Sequence, residues 1–413
     1  MNSWTHLFLA LLGSMLLTQL WLATRHIRHV ETHRRQVPAA FRRRIPLAAH
    51  RKAADYTVAK TRFGRVDAVI GVLLLLGWTL GGGLAALDAL WRGLGLGALA
   101  TGTGFILSAW LLMAALDLPG SIYQTFVIEA RFGFNRTTPK LFAIDQLKSL
   151  LLLGLIGAPL VVAVLWLMQG TGRWWWLYVW ILWITFSLFM VWAYPTLIAP
   201  LFNKFKPLKA GTLRARIQAL LRRTGFRSKG IFVVDSSRRT AHGNAYFTGL
   251  GRNKRIVFFD SLLKSLRPPE VEAVLAHELG HFKLRHVLKR MGLLMLTSFA
   301  ALALLGWLID QRWFYEGLGM REPSTHAALM LFVLTGPVFT YFLHPLLAWG
   351  SRRHEFEADR FAATETSARD LVSALVKLYK DNAATLTPDP LHSAFYDSHP
   401  PAAIRIATLL GKP

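Results

Sequence analysis

The sequence predicts a mainly α-helical, polytopic membrane protein with a smaller polar domain that contains a β-sheet. The chain has 413 residues, of which 53% are hydrophobic and only 17% charged. This balance is typical of proteins that place long apolar helices in lipid. Seven apolar stretches are long enough to cross a bilayer as helices, and one long polar segment lies between the fifth and the sixth.

The first apolar stretch, residues 4–23, is uncharged and is followed by a cluster of arginines. A cleavable signal peptide has the reverse order, with its positive charge before the apolar run. We therefore predict a membrane span whose N-terminus lies outside, because basic residues favour the cytoplasmic side. The six further predicted spans are residues 66–87, 94–116, 150–168, 174–197, 287–309 and 327–349.

The positions of the basic residues support this topology. The chain carries 48 Lys and Arg against 23 Asp and Glu, for a net charge of +25. Alternation of the spans places residues 117–148, 202–286 and 351–413 in the cytoplasm, and these segments hold most of the remaining basic residues. Topology thus accounts for the charge, so we expect the lipid bilayer as a partner and no nucleic acid.

We divide the chain into two domains. Residues 1–201 form an N-terminal membrane domain of five spans, and residues 202–413 form a second domain that includes the last two spans. Residues 212–224 have helical periodicity, and the β-rich runs 231–234, 244–247 and 255–259 predict a small three-stranded sheet. Pro268 and Pro269 then predict the start of a helix.

The helix that begins there carries HELGH, with His277, Glu278 and His281. Residues four apart on a helix are offset by only about 40°, so both imidazoles can hold one zinc ion. A neighbouring carboxylate can then take a proton from a zinc-activated water that attacks a peptide carbonyl. The alternative is a surface helix that carries these residues by chance. The absence of cysteine from the chain restricts metal ligands to imidazoles and carboxylates.

A third ligand is expected from the segment SRRHEFEADR, residues 351–360. Glu355 and Asp359 are four residues apart and share a helix face, whereas Glu357 points roughly opposite. We interpret Glu355 as the third zinc ligand and Asp359 as the group that orients a ligand imidazole. An amphipathic helix with solvated acids is the alternative. The pairing of this segment with HELGH favours the metal site.

Near the C-terminus, YDSHPPAAIR contains His399 and Arg405. Both are donor or cationic groups that could stabilise the oxyanion formed during peptide hydrolysis. The two prolines would fix the loop that presents His399. An ordinary surface turn remains the alternative at this stage.

Several of these segments together closely resemble the type I CAAX prenyl endopeptidases, which are integral-membrane zinc metalloproteases. The resemblance covers nearly the whole chain from about residue 51 onward. The segments that carry it are HELGHFKLRH (277–286), SRRHEFEAD (351–359), HPPAAIRI (399–406), HGNAYFTG (242–249) and FVIEARFGFNRTT (126–138).

The resemblance implies that His277, His281 and Glu355 bind one zinc ion, that Glu278 is the general base and acid, and that His399 and Arg405 support the transition state. It also implies seven helices around a large water-filled chamber. The substrate would be a peptide or protein, with or without a lipid, that is cut near its C-terminus. Asn244 in the NAYF run would contact the substrate backbone. We predict that this run, Asn244, Ala245, Tyr246 and Phe247, is an edge strand to which a peptide adds.

Two positions depart from the family pattern. Glu357 stands where relatives often have Gln, and His354 adds an imidazole, so either could compete for metal. The Arg-rich sequence suggests a bacterial inner-membrane protein, for which a prenylated substrate is unexpected. A monomer is plausible. The alternative functions are a quality-control metalloprotease of the HtpX type and a non-proteolytic membrane scaffold or transporter.

Overall fold

A computed structural model describes residues 1–249 and 254–411. Residues 250–253, between two of the predicted strands, and residues 412–413, at the end of the predicted second domain, lie outside the described residues. The described chain consists of long apolar helices and a smaller mixed α/β region, which confirms the predicted fold class. The domain division at residues 201 and 202 stays a prediction.

Within the described residues, six helical segments are long and apolar enough to cross a membrane, and a bent pair of helices makes a seventh if it crosses as one span. The bent pair is Leu47–Trp78 with Gly83–Gly93, at an angle of 44°. The first eight helices are α1 (Ser3–His33), α2 (Leu47–Trp78), α3 (Gly83–Gly93), α4 (Ala98–Tyr123), α5 (Pro139–Leu152), α6 (Ala158–Gly170), α7 (Trp175–Ala193) and α8 (Ala199–Phe202).

π-Helical turns interrupt the long spans near prolines. The turn Leu153–Gly157 joins α5 to α6, whose second residue is Pro159, and the turn Tyr194–Ile198 joins α7 to α8 and contains Pro195. A proline has no backbone N–H to donate, and its ring crowds the carbonyl four residues earlier. The wider π turn relieves this conflict without ending the helix.

The spans pack around an apolar core that includes Phe8, Phe105 and Leu305, all of which are fully buried. Large apolar side chains also point outward, among them Leu155 at 73% exposure and Leu294 at 67%. In water such exposure would be unfavourable, but lipid solvates these side chains. The outer surface of the spans is therefore suited to a bilayer.

In the part of the chain that the structure describes, the sheet has four strands, one more than predicted. They are β1 (Phe205–Pro207), β2 (Gly230–Val234), β3 (Ala245–Thr248) and β4 (Arg255–Phe259), in the order β1-β2-β4-β3. The central pair β2/β4 is parallel, and both outer pairs are antiparallel. The strand β1 was missed because three residues that include a proline give no alternating pattern. The predicted edge position of the NAYF run is found in β3.

The remaining helices surround the sheet and complete the last two spans. Helix α11 begins where its prolines predict, and Glu270 accepts a hydrogen bond from the backbone N–H of Arg267 at 2.7 Å. These helices are α9 (Thr212–Arg223), α10 (Asp260–Ser265), α11 (Pro268–Lys283), α12 (His286–Leu308), α13 (Arg312–Glu316), α14 (Thr325–Thr340), α15 (His344–Glu365), α16 (Ala368–Asp381), α17 (Pro390–Tyr396) and α18 (Ala402–Leu409).

Helices α11 and α15 approach each other closely at Gly280. A Cβ atom at this position would lie 3.0 Å from Cα and 3.3 Å from Cβ of Ala358. Both residues are fully or almost fully buried. Two small residues face to face thus allow the backbones to approach, and this contact brings Glu355 of α15 opposite the HELGH motif of α11.

Candidate active site

Two helices place three potential metal ligands around one point. Helix α11 presents His277 and His281, and α15 presents Glu355. The two Nε2 atoms are 3.3 Å apart. Glu355 Oε2 lies 3.3 Å from His277 Nε2, and Oε1 lies 3.3 Å from His281 Nε2. Ligands of a tetrahedral zinc ion at bond lengths near 2.0 Å are separated by about 3.3 Å, so these donors fit the ion.

A buried ionic network lies next to the three candidate ligands, on the side of His277 that faces away from His281 and Glu355. Asp359 Oδ1 lies 2.8 Å from His277 Nδ1, the nitrogen that faces away from the other ligands. Arg405 donates two hydrogen bonds to the Asp359 carboxylate, at 2.8 and 2.6 Å. Its Nη1 also lies 3.7 Å from Glu355 Oε2. The carboxylate can therefore fix the orientation of the imidazole, and the guanidinium can fix the carboxylate.

The surroundings shift the pKa values of two residues on α11. Burial lowers the pKa of His277, but its contacts with Asp359 and Glu355 outweigh burial and raise the pKa to about 9. Burial raises the pKa of Glu278, and the nearby imidazoles oppose this only in part. A carboxylate with a raised pKa accepts protons better near neutral pH, which is what a general base requires.

A cavity of about 440 Å³ opens over the three ligands. Glu278 and His399 line it, together with Tyr246 and Phe247 of β3. In the same strand Ala245 is buried, whereas Asn244, directly before it, is exposed and its side chain accepts a hydrogen bond from the N–H of Ala245. The edge strand predicted to hold substrate therefore runs along the cavity.

The two predicted C-terminal residues occupy different places. The His399 side chain is 61% exposed, and its Nε2 lies 3.5 Å from Glu355 Oε1 at the cavity. Arg405 is 5% exposed and is held by Asp359 beneath the ligands. His399 can therefore reach a molecule in the cavity, whereas Nε and Nη2 of Arg405 are both engaged by Asp359.

Some cavity residues were not anticipated from the sequence. Tyr194 and Pro195, in the π turn after α7, line the cavity, as does His286 at the start of α12. Pro195 signalled a kink in its helix, but no local pattern could place the end of a membrane span beside HELGH. Glu357, considered above as a competing ligand, contacts His286 at 2.9 Å.

The fold and the site together define a class of protein. A multi-pass membrane protein that sets an HExxH helix against a glutamate from a second helix, under an open cavity, is a membrane-embedded metalloendopeptidase.

Comparison with known proteins identifies the family. Residues 26–204 match the model described as CAAX prenyl protease N-terminal, five membrane helices, and residues 207–412 match the model of Peptidase family M48. The chain therefore belongs to the membrane CAAX protease group of Peptidase family M48, and it is an integral multi-pass membrane metalloendopeptidase.

Similar proteins match over long regions. A CAAX prenyl protease 1 homolog of Oryza sativa is 39% identical over 74% of this chain and 72% of its own. A CAAX prenyl protease 1 homolog of Mus musculus is 32% identical over 95% of this chain and 92% of its own. The crystal structure of S. mikatae Ste24p superposes with a TM-score of 0.91 and 28% identity, covering 99% of both chains.

These relatives correct one expectation. The arginine-rich sequence suggested a bacterial inner-membrane protein, but the similar curated proteins come from plants, animals, Dictyostelium and yeast. Membrane proteins of many organisms carry basic residues in the loops beside their spans, so arginine content does not identify the organism. The family confirms a membrane protease, for which peptides are the substrates and the lipid bilayer is a partner.

Proposed function

We propose that this protein is a zinc endopeptidase that cleaves lipidated peptides near their C-terminus, as the names of its relatives suggest for them. The observation that carries the proposal is that the Nε2 atoms of His277 and His281 are 3.3 Å apart and that each lies 3.3 Å from one oxygen of the Glu355 carboxylate. Two imidazoles and one carboxylate are a ligand set that zinc binds well and that leaves a fourth position for water.

His277, His281 and Glu355 would hold the ion, which supplies Lewis-acid chemistry to the water and to the scissile carbonyl. Glu278, beside them at the cavity, takes a proton from the attacking water and later delivers it to the leaving amine. Its raised pKa suits both transfers.

The substrate would lie extended along β3. The outer side of this strand is the edge of the sheet, so its backbone can pair with a peptide. Tyr246 and Phe247 line the cavity. Asn244 and Ala245 come directly before them in the chain and would contact the next part of the peptide. This orientation would carry the scissile bond past Glu278 and His399.

His399 and Arg405 would then have distinct roles. His399, exposed at the cavity, can donate a hydrogen bond to the oxygen that becomes negative. Arg405, buried and doubly bonded to Asp359, is a positioning residue that holds the orienting carboxylate of His277. This assignment replaces the expectation that Arg405 itself contacts the oxyanion.

Glu278→Gln tests the proposal, because it keeps the shape of the side chain but removes its basicity. We expect zinc content to be unchanged and hydrolysis of a farnesylated peptide with a CAAX terminus to fall by about a hundredfold or more. Glu316→Gln, at an exposed acid of α13 that is 54% accessible, is the matched control. Full activity of Glu278→Gln would remove the general-base assignment.

The same peptide without its lipid tests the substrate class. We expect the lipid-free peptide to be cleaved more slowly by the unmodified protein. Equal rates would contradict a lipid requirement but leave the peptidase assignment intact. Mass spectrometry of membrane peptides that accumulate with Glu278→Gln would then identify the physiological substrate.

A further inference from the structure

The second metal-ligand histidine has a partner that the site described above does not explain. His281 turns Nε2 toward His277 and Glu355, and its other ring nitrogen, Nδ1, lies 3.0 Å from Nδ1 of His286. His286 is the first residue of α12 and is 1% exposed. The buried imidazole of His286 therefore contacts His281 on the side of its ring that faces away from the candidate metal site.

His286 in turn contacts a carboxylate. Its Nε2 lies 2.9 Å from Oε2 of Glu357, which is on α15 two residues after the ligand Glu355. The Glu357 side chain is 31% exposed. Both ring nitrogens of His286 are thus engaged, one with a metal ligand and the other with an acid.

The metal determines where the hydrogens lie. A histidine that binds zinc through Nε2 carries its hydrogen on Nδ1, so His281 donates to Nδ1 of His286. His286 then carries its own hydrogen on Nε2 and donates it to the Glu357 carboxylate. Each of the two contacts then has one donor and one acceptor, so both can be hydrogen bonds at the same time.

We propose that Glu357 and His286 form a relay that orients His281 and strengthens its bond to the metal. The relay deepens the proposed function, because it rests on zinc bound by His277, His281 and Glu355. The negative charge of Glu357 makes His286 a better acceptor, which makes the His281 ring a more basic ligand. His277 obtains the same support from Asp359, so each ligand histidine has its own carboxylate, one direct and one through an imidazole.

The same residues could instead form a second metal site, since His286, His354 and Glu357 offer ligand atoms within 4.8 Å of one another. The geometry favours the relay. His286 Nε2 and Glu357 Oε2 are 2.9 Å apart, which is a hydrogen-bond distance and is shorter than the separation of about 3.3 Å between two ligands of a tetrahedral zinc ion. The His354 ring, by contrast, stacks on His286 at 4.1 Å and 13°, an arrangement of two parallel rings rather than two converging donors.

Zinc affinity of the purified full-length protein, measured by competition with a chelator, tests the relay. Glu357→Gln keeps an acceptor of the same size and loses only the charge, so we expect zinc to bind about tenfold more weakly. His286→Phe keeps the ring volume and removes both hydrogen bonds, and affinity should fall by about tenfold to a hundredfold. Glu355→Ala should lose more than either, because it removes a direct ligand.

The matched control is His354→Phe, which keeps the stack on His286 but touches neither end of the relay. Its zinc affinity should remain within about twofold of the unmodified protein. Cobalt(II) substitution adds a readout of ligand geometry: the visible absorption of the cobalt protein should change in His286→Phe and Glu357→Gln, and stay the same in His354→Phe.

Three results would overturn the relay. One is unchanged zinc affinity and cobalt spectrum in both relay variants. Another is binding of a second zinc that His354→Phe abolishes, which would show a second metal site. The last is a loss of zinc affinity that is fully accounted for by a lower unfolding temperature of the metal-free variants. That result would show that His286 and Glu357 have a merely structural role. If the unmodified protein binds no zinc, the proposed function fails as well, whereas these results leave it intact.

Discussion

At the scale of single residues, His277 couples the candidate metal site to pH. Its contacts with Asp359 and Glu355 raise its pKa to about 9, although burial opposes them. A metal binds the neutral imidazole, so the proton must leave when the ion enters. In the metal-free protein His277 is charged below about pH 9, and metal affinity should therefore increase as the pH rises toward that value.

Zinc binding should accordingly release about one proton from His277 at about pH 7.5, and release from this residue should disappear above about pH 10. Calorimetry in buffers with different ionisation enthalpies measures the number of protons. Asp359→Asn removes a group that raises the pKa of His277, so zinc binding to this variant should release fewer protons at about pH 7.5 than zinc binding to the unmodified protein. Equal proton release at both pH values would contradict the role of His277.

At the scale of secondary-structure elements, the metal site depends on how closely α11 and α15 approach. The contact of Gly280 with Ala358 is tight for a methyl group, because an added Cβ would lie 3.0 Å from Cα of Ala358 and the two backbones would have to move apart by a few tenths of an ångström. Glu355 lies one helical turn from Ala358 on the same helix. Separation of the two backbones would therefore move the third ligand away from the histidines.

Gly280→Ala should weaken zinc binding and lower the unfolding temperature. Overpacking at a buried contact costs about 1–3 kcal/mol. The control is Gly292→Ala in α12, where an added Cβ has no neighbour within 4 Å. Chelator competition and thermal unfolding measure both effects. A Gly280→Ala protein with the zinc affinity of the Gly292→Ala control would show that the close approach is not required.

At the scale of the whole molecule, polar contacts join the membrane spans to the segment that precedes β3, the strand that borders the cavity. Glu129, at the cytoplasmic end predicted for the α4 span, accepts a hydrogen bond from Tyr56 of α2 and lies 3.5 Å from His242. Arg239 donates two hydrogen bonds to Asp145 of α5, at 2.8 and 2.9 Å. The segment that leads into β3 is therefore fixed by the spans.

The number of spans determines on which sides of the membrane the two termini lie. If the bent pair of α2 and α3 crosses once, seven spans place the N-terminus outside and the C-terminus in the cytoplasm. A reporter fused after Pro413, which lies outside the described residues, should then report the cytoplasm, and one fused before Met1 the opposite side. Both reporters on one side would show six spans and would contradict the predicted topology.

Much of the fold could be predicted because its signals are local. Apolar length predicted the spans, and the prolines before Glu270 predicted the start of α11. Spacing along single helices selected His277, His281 and Glu355. The enclosed chamber stays a prediction, since it was implied by resemblance to a family.

The sequence by itself therefore determined the class of fold, the helices and the three candidate ligands, because helical periodicity and hydropathy act over a few residues. Only the tertiary structure decided that Arg405 lies beneath the site, that β1 completes the sheet, and that His286 links His281 to Glu357. Each of these depends on contacts between segments distant in sequence, and such contacts are set by packing of whole elements, which no local pattern records.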